Sequence, residues 1–176
     1  MGVWSTRDRA SIRQVGRCYC MRVQILAVGK VKGSFAESVA EYEKRAARYW
    51  KLGVEEVSSG ARGASANPES VMKAEATRLL ARIPKELEVV ALTRSGMTMN
   101  SRELARYLEQ RALTASAGVA FIIGGAYGLG NDVLVQTQRK LSLSPMTLPH
   151  QVARLVLAEQ LYRAGTILRG EPYHKG

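Results

Sequence analysis

The sequence predicts an α/β fold: a mainly parallel sheet covered by helices on both faces. Three observations predict it. Short, mostly apolar runs such as RVQILAV and VAFII recur along the chain, segments of helical period lie between them, and glycine or asparagine marks the turns. Strands buried on both faces read as unbroken apolar runs, and parallel neighbours need a helical crossover. At 176 residues, 46% hydrophobic and 23% charged, the chain has the size and composition of one ordinary globular domain. No apolar run reaches the ~18 residues that a membrane span needs.

From Met21 the elements follow in order. Residues 22–28 form a buried strand, and Gly29-Lys30-Val31-Lys32-Gly33 is a basic loop. Ser34 reads as an N-cap with Glu37 at the capping-box position, opening a helix to about Trp50. Residues 54–57 make a second strand, and 58–67 (SSGARGASAN) a loop too polar for the core. Pro68 opens the next helix, with Val71, Met72, Ala76, Leu79 and Leu80 at helical spacing. Residues 87–93 (LEVVALT) are a third strand, 94–99 a loop, and Asn100 caps a helix with Glu103 three residues on. A strand at 119–123 leads into a glycine-rich turn, a short polar helix over about 131–140, a strand-like piece ending at Pro149, and an amphipathic helix over about 151–167.

Domain organisation is simple. The first twenty residues carry Arg7, Arg9, Arg13 and Arg17 against Asp8 and read as an N-terminal extension, disordered or not native. They lack the long apolar core of a secretory signal, and Met21 is the expected functional start of a single domain over 21–176. The expected location is the cytoplasm, or an organelle if the arginine- and serine-rich extension acts as a presequence. Both cysteines, Cys18 and Cys20, lie in the extension, which leaves the body without a thiol nucleophile or cysteine metal site. The formal charge of +11 points to a polyanionic partner, most simply nucleic acid.

The chemistry available is narrow. Asp8 and Asp132 are the only aspartates, His150 and His174 the only histidines, and no Gly-x-Ser-x-Gly elbow occurs. These residues do not form a metal-ligand pattern, so none is expected to bind metal. The glycine turn around Gly124, Gly125, Gly128 and Gly130 fails the dinucleotide fingerprint for want of a third glycine after Gly128 and Gly130. It fails the phosphate-loop pattern because Asn131-Asp132 stands where Lys-Ser/Thr is required. Absent side chains there would instead let main-chain groups approach a flat ligand. What remains is chemistry by positioning, with a small activated cosubstrate supplying the reactive group.

GGAYGLG, the segment LSLSPMTLPHQVARLVLAEQLYRA, the ending RGEPYHKG and the start MRVQILAVGKVKG together resemble the bacterial ribosomal RNA large subunit methyltransferase H family. That family belongs to the SPOUT superfamily of α/β-knot methyltransferases, and the resemblance covers 21–176. It implies a C-terminal trefoil knot, an exception to the usual topology rules. It also implies S-adenosyl-L-methionine as cofactor and methylation of N3 of a pseudouridine in large-subunit ribosomal RNA, within the assembled ribosome. The cofactor contacts it implies are Leu92, Gly124, Leu143, Ser144, Pro145, Met146, Thr147 and Leu148. Ser144-Pro145 departs from the small or charged residues expected of the family and should rigidify that loop.

The resemblance further implies a homodimer built partly on the last helix, whose Val152, Val156, Leu157, Gln160 and Leu161 lie near one face. The tail of one subunit would then approach the cofactor of the other, giving His150, Arg154, Tyr173 and His174 a joint catalytic site. In that reading His174 takes the N3 proton, Arg154 stabilises the developing imidate or anchors a phosphate, and Tyr173 stacks on the base. Lys30, Lys32, Arg62, Arg94 and Arg169 would contact RNA. Two alternatives keep parts of this pattern: a knotted methyltransferase acting on tRNA, and a non-enzymatic RNA-binding protein.

Overall fold

The computed structural model describes residues 21–60, 67–114 and 117–174, with the backbone alone at His174. The expectations for residues 1–20 and for Arg62 lie outside the described residues. Ten main elements follow in order: β1 (Arg22–Val28), α1 (Phe35–Ala46), β2 (Lys51–Val57), α2 (Pro68–Leu80), β3 (Glu88–Thr98), α3 (Ser101–Leu113), β4 (Gly118–Ile123), α4 (Asn131–Val135), β5 (Arg139–Ser142) and α5 (His150–Leu168). A single 3-10 turn, Pro172–His174, ends the described chain.

The five strands are all parallel, in the order β2-β1-β4-β3-β5. Alternate residues of the central strands face opposite layers. Val23 and Ile25 of β1 and Val119, Phe121 and Ile123 of β4 pack with Leu104 and Leu108 of α3 and Leu157 and Leu161 of α5. Leu26 and Val28 of β1 and Ala120 and Ile122 of β4 pack instead with Ala76 and Leu79 of α2 and Val133 of α4. Helices therefore cover both faces, and each fully buried Leu, Ile or Phe contributes roughly 1.5–3 kcal/mol of transfer free energy.

Local signals explain most boundaries. Asn100 and Glu103 form a reciprocal capping box, with Asn100 Oδ1 accepting from Glu103 N at 2.9 Å and Glu103 Oε2 accepting from Asn100 N at 2.7 Å. Asn67 caps α2 through Glu69 N, ahead of Pro68 at the first helical position.

Several expectations need correction. Ser34 is already helical (φ −60°, ψ −22°) and its side chain makes no cap bond; the turn at Gly33 (φ +65°) brings the chain into α1 instead. Helix α1 stops at Ala46, short of Trp50, because Tyr49 and Trp50 turn into the core and Trp50 Nε1 donates to Leu161 O. Helix α4 ends at Val135, since Gln138 exchanges hydrogen bonds with the backbone of Val89 and draws the chain into β5. Residues 94–98, expected as a loop, belong to β3, whose pairing with β5 breaks register between Leu92 and Met97.

Candidate active site

The connections leaving β1 and β4 diverge: α1 leads to β2 at one edge of the sheet, and α4 leads to β5 at the other. Adjacent parallel strands whose connections part in this way leave a crevice at their carboxyl ends, where ligands of open α/β sheets bind. Four segments meet along this edge: the loop after β1, Ser58–Gly60 after β2, the far end of β3 with the segment after β5, and the glycine turn after β4.

The glycine turn is held by its own backbone. Gly128 N donates to Gly125 O at 3.1 Å, and Gly128 sits at φ +82°, a conformation that favours glycine. A Cβ on Gly124 would lie 2.6 Å from the carbonyl carbon and oxygen of Gly128, so no side chain can stand there. Further along the same edge, at β3 and β5, Ser142 Oγ lies within 3.1 Å of Arg94 O and 3.0 Å of Ser144 O, and Ser144 Oγ accepts from Met146 N at 3.0 Å. Arg94 Nη1 reaches Thr147 Oγ1 at 3.4 Å. Leu92, Leu143 and Leu148 are half-buried beside exposed Pro145, Met146 and Thr147.

The residues carried over for the cofactor thus lie along the carboxyl edge, and their chemistry suits a small, flat, partly polar ligand: main-chain groups, apolar walls and little side-chain charge. Thr93 Oγ1, next to Leu92, is buried without a hydrogen-bond partner among the described residues, which leaves a polar group to be satisfied there. Among the described residues, no group of three or more His, Cys, Asp or Glu could hold a metal ion.

Within the single chain, three of the four expected catalytic residues, His150, Arg154 and Tyr173, have partners of their own. His150 is the first residue of α5, and its ring packs on the β1 loop: a Cβ on Gly29 would lie 3.2 Å from His150 Nε2. Arg154, one turn further along the same face of α5, is buried, and its Nε donates to Glu43 at 2.7 Å and its Nη1 to Glu56 at 2.5 Å. Burial opposes its charge, but the bonds to both glutamates outweigh this and hold its pKa above the usual arginine value. Within the chain, the guanidinium ties α5 to α1 and β2.

Tyr173 is also engaged within the chain. Its hydroxyl donates to Glu159 Oε1 at 3.2 Å and lies 3.4 Å from Tyr42 Oη; its ring meets Tyr162 (centroids 4.5 Å apart) and the Arg163 guanidinium at 4.8 Å. Burial and the neighbouring Tyr42 and Glu159 push its pKa up. The expected stacking face is therefore occupied by neighbours from α5. The side chain of His174 lies outside what is described. Of the expected RNA contacts, Lys30, Lys32 and Arg94 are exposed, whereas Arg169 donates to Arg48 O and lies over the Tyr49 ring at 4.5 Å.

Two groups escaped the sequence reading. Glu159 and Arg163 pair through bonds of 2.7 and 2.9 Å and carry the tail through Tyr173. Glu75 is 2% exposed in α2 and faces the glycine turn. Its signal was available: it lies four residues from both Val71 and Leu79, on the apolar face of α2.

A family model described as "Predicted SPOUT methyltransferase" matches residues 21–174. The chain belongs to the SPOUT methyltransferase family. Its relatives include "Ribosomal RNA large subunit methyltransferase H" of Gemmatimonas aurantiaca, 50% identical over 156 residues that span 88% of this chain and all of the relative. The protein of the same name from Carboxydothermus hydrogenoformans is 43% identical over 159 residues, again 88% of this chain and all of the relative. Two solved structures share the fold. A probable methyltransferase from Bordetella pertussis has a TM-score of 0.51 at 22% identity, covering 82% of this chain and 95% of that one. A probable methylase family protein from Haemophilus influenzae has a TM-score of 0.52 at 15% identity, covering 89% and 71%. Membership of the SPOUT family makes the chain a methyltransferase, which requires a methyl donor.

Proposed function

We propose that the protein methylates N3 of a pseudouridine in large-subunit ribosomal RNA, within the assembled ribosome, using S-adenosyl-L-methionine and acting as a cytoplasmic homodimer. The observation that carries this reading is that the glycine turn, Leu92 and the segment 143–148 belong to the carboxyl ends of three neighbouring parallel strands, β4, β3 and β5. The names of the full-length relatives supply the substrate class. The proposed path after β4 is the trefoil knot of the SPOUT superfamily, with β5 paired beside β3 at Leu92 and Met97.

S-adenosylmethionine supplies an electrophilic methyl group on a sulfonium sulfur. Leu92, Gly124, Leu143, Ser144, Pro145, Met146, Thr147 and Leu148 would hold it through main-chain groups and apolar walls. The imide N3 of pseudouridine must lose its proton as the methyl arrives, and His174 is the proposed acceptor. The docking of Tyr173 on Glu159 and Tyr42 fixes where the chain enters that residue. His150, packed on Gly29, would hold the β1 loop against the start of α5, while Lys30, Lys32 and Arg94 meet phosphates.

A second copy would complete the site. Val152 and Val156 stay half-buried on α5 while Leu157 and Leu161 are fully buried, so part of its apolar stripe is left over for a partner. Val156 and Gln160 line a cleft of about 290 Å³ with Met99, Leu104, Leu141 and Leu143, next to the proposed cofactor loop.

Mass-spectrometric mapping of nucleosides from a strain lacking the gene tests the assignment. The expected result is loss of one N3-methylpseudouridine from large-subunit RNA, restored by a plasmid copy. Loss of a methyl group from tRNA, or no change in either RNA, would reject it.

A further inference from the structure

We propose that Glu75 biases the crevice toward a methyl donor with a positively charged sulfur and against the neutral thioether left after transfer. The inference rests on the donor reading above and adds a residue to it. Glu75 lies in the middle of α2 with 2% of its surface exposed, and it is the one buried acid among the described residues. Its Oε1 accepts from Ser59 Oγ at 2.9 Å and from Gly60 N at 3.0 Å. Its Oε2 has no hydrogen-bond partner among the described residues. The carboxyl group faces the glycine turn: a Cβ on Gly125 would lie 2.7 Å from Oε2 and 2.9 Å from Oε1.

A carboxylate oxygen left unmatched in a buried setting is costly, and such groups persist where they serve a site. None of the ion pairs among the described residues includes Glu75. Its neighbours on the helix face, Val71 and Leu79, are apolar and supply no compensating charge. With no ion-pair partner for it among the described residues, a carboxylate beside the turn that carries Gly124 would make the local potential negative. S-adenosylmethionine carries a positive charge at sulfur; S-adenosylhomocysteine, after the S–CH₃ bond has broken, does not. A unit charge pair about 10 Å apart at an effective dielectric near 20 shifts an equilibrium roughly tenfold. The acid would therefore favour entry of the donor and departure of the product.

Calorimetry on the full chain, with S-adenosylmethionine, S-adenosylhomocysteine and sinefungin, tests this. Sinefungin places an ammonium-bearing carbon where the sulfonium stands. Wild type should bind both cationic ligands about tenfold more tightly than the thioether, a comparison that needs no variant. Glu75→Gln should weaken the two cationic ligands about tenfold and leave the thioether within about twofold. Equal binding of all three ligands by wild type would overturn the inference while leaving the donor reading intact, as would equal shifts, or none, in Glu75→Gln. Failure of wild type to bind any of them would instead defeat the donor reading, and this inference with it.

Discussion

Replacing Arg154 separates a structural from a catalytic role for the most deeply buried cation of α5. Its side chain is 8% exposed, and its partners Glu43 and Glu56 are 17% and 26% exposed. Removing one member of a buried ion-pair cluster costs about 3–5 kcal/mol, chiefly because the remaining charges lose their partner. The partial exposure of the two glutamates places Arg154→Ala near the lower end, about 3 kcal/mol. For a chain of this size that corresponds to a fall in Tm of roughly 6–12 °C. Glu43 and Glu56 would then face each other without the cation between them, so adding Glu43→Gln should recover part of the loss. Thermal melts followed by circular dichroism measure the stability, and methyl transfer at 25 °C, with the folded fraction checked, measures the activity. The structural role requires a large Tm shift with kcat within about threefold of wild type. A Tm within 2 °C of wild type together with a kcat loss above about 100-fold would place the guanidinium at the substrate and refute the reasoning.

The remaining predictions concern the core, the tail and the crevice. Gly165→Ala should destabilise even though alanine is the better helix former by about 1 kcal/mol, because the new Cβ would lie 2.2 Å from Tyr49 Cγ; a chemical-denaturation midpoint below wild type checks it. Burial, and then the bond to Glu171, push the pKa of Tyr49 up to about 12 from 10.0. The folded state thus holds this proton more tightly, so its stabilisation is complete below pH 10 and is lost as pH rises through about 12; Tyr49→Phe should flatten the stability profile over that window. Gly124→Ala should weaken donor binding at least about tenfold in calorimetry, because its Cβ would strike the Gly128 backbone, and should shift Tm less than Gly165→Ala does. Replacing Lys30 and Lys32 with glutamine should lower the salt dependence of ribosome binding, the log–log slope falling by about 0.7–0.9 for each phosphate no longer neutralised.

The layered fold was legible because its signals are local. Strand β4 is an unbroken apolar run and β1 is apolar from Ile25 to Val28, and Asn100 with Glu103 spells a capping box within four residues. The Ser34 box uses the same letters and fails, since Gly33 turns the chain before the serine can adopt a capping conformation. The stretch 94–98 looked like a loop because only its pairing with a strand more than forty residues later makes it extended. The cofactor edge was legible mainly through the SPMTLPH and glycine-turn motifs. The roles of charged side chains were not, because partners lie far away in sequence: Arg154 finds Glu43 and Glu56 at separations of 111 and 98 residues. Tyr173 and Arg169 likewise find partners on elements that only the fold brings near. Glu75 could have been noticed as an acid on an apolar helix face, but its orientation toward the glycine turn required the packing of α2 on the sheet.

The most direct measurement is the transfer of labelled methyl from S-adenosylmethionine by the purified protein to ribosomes lacking the modification, with naked ribosomal RNA and tRNA in parallel. The account predicts about one methyl group per large subunit, little on naked RNA, and loss of transfer in Gly124→Ala. Label on tRNA, or none on ribosomes while the wild-type protein remains folded, would contradict it.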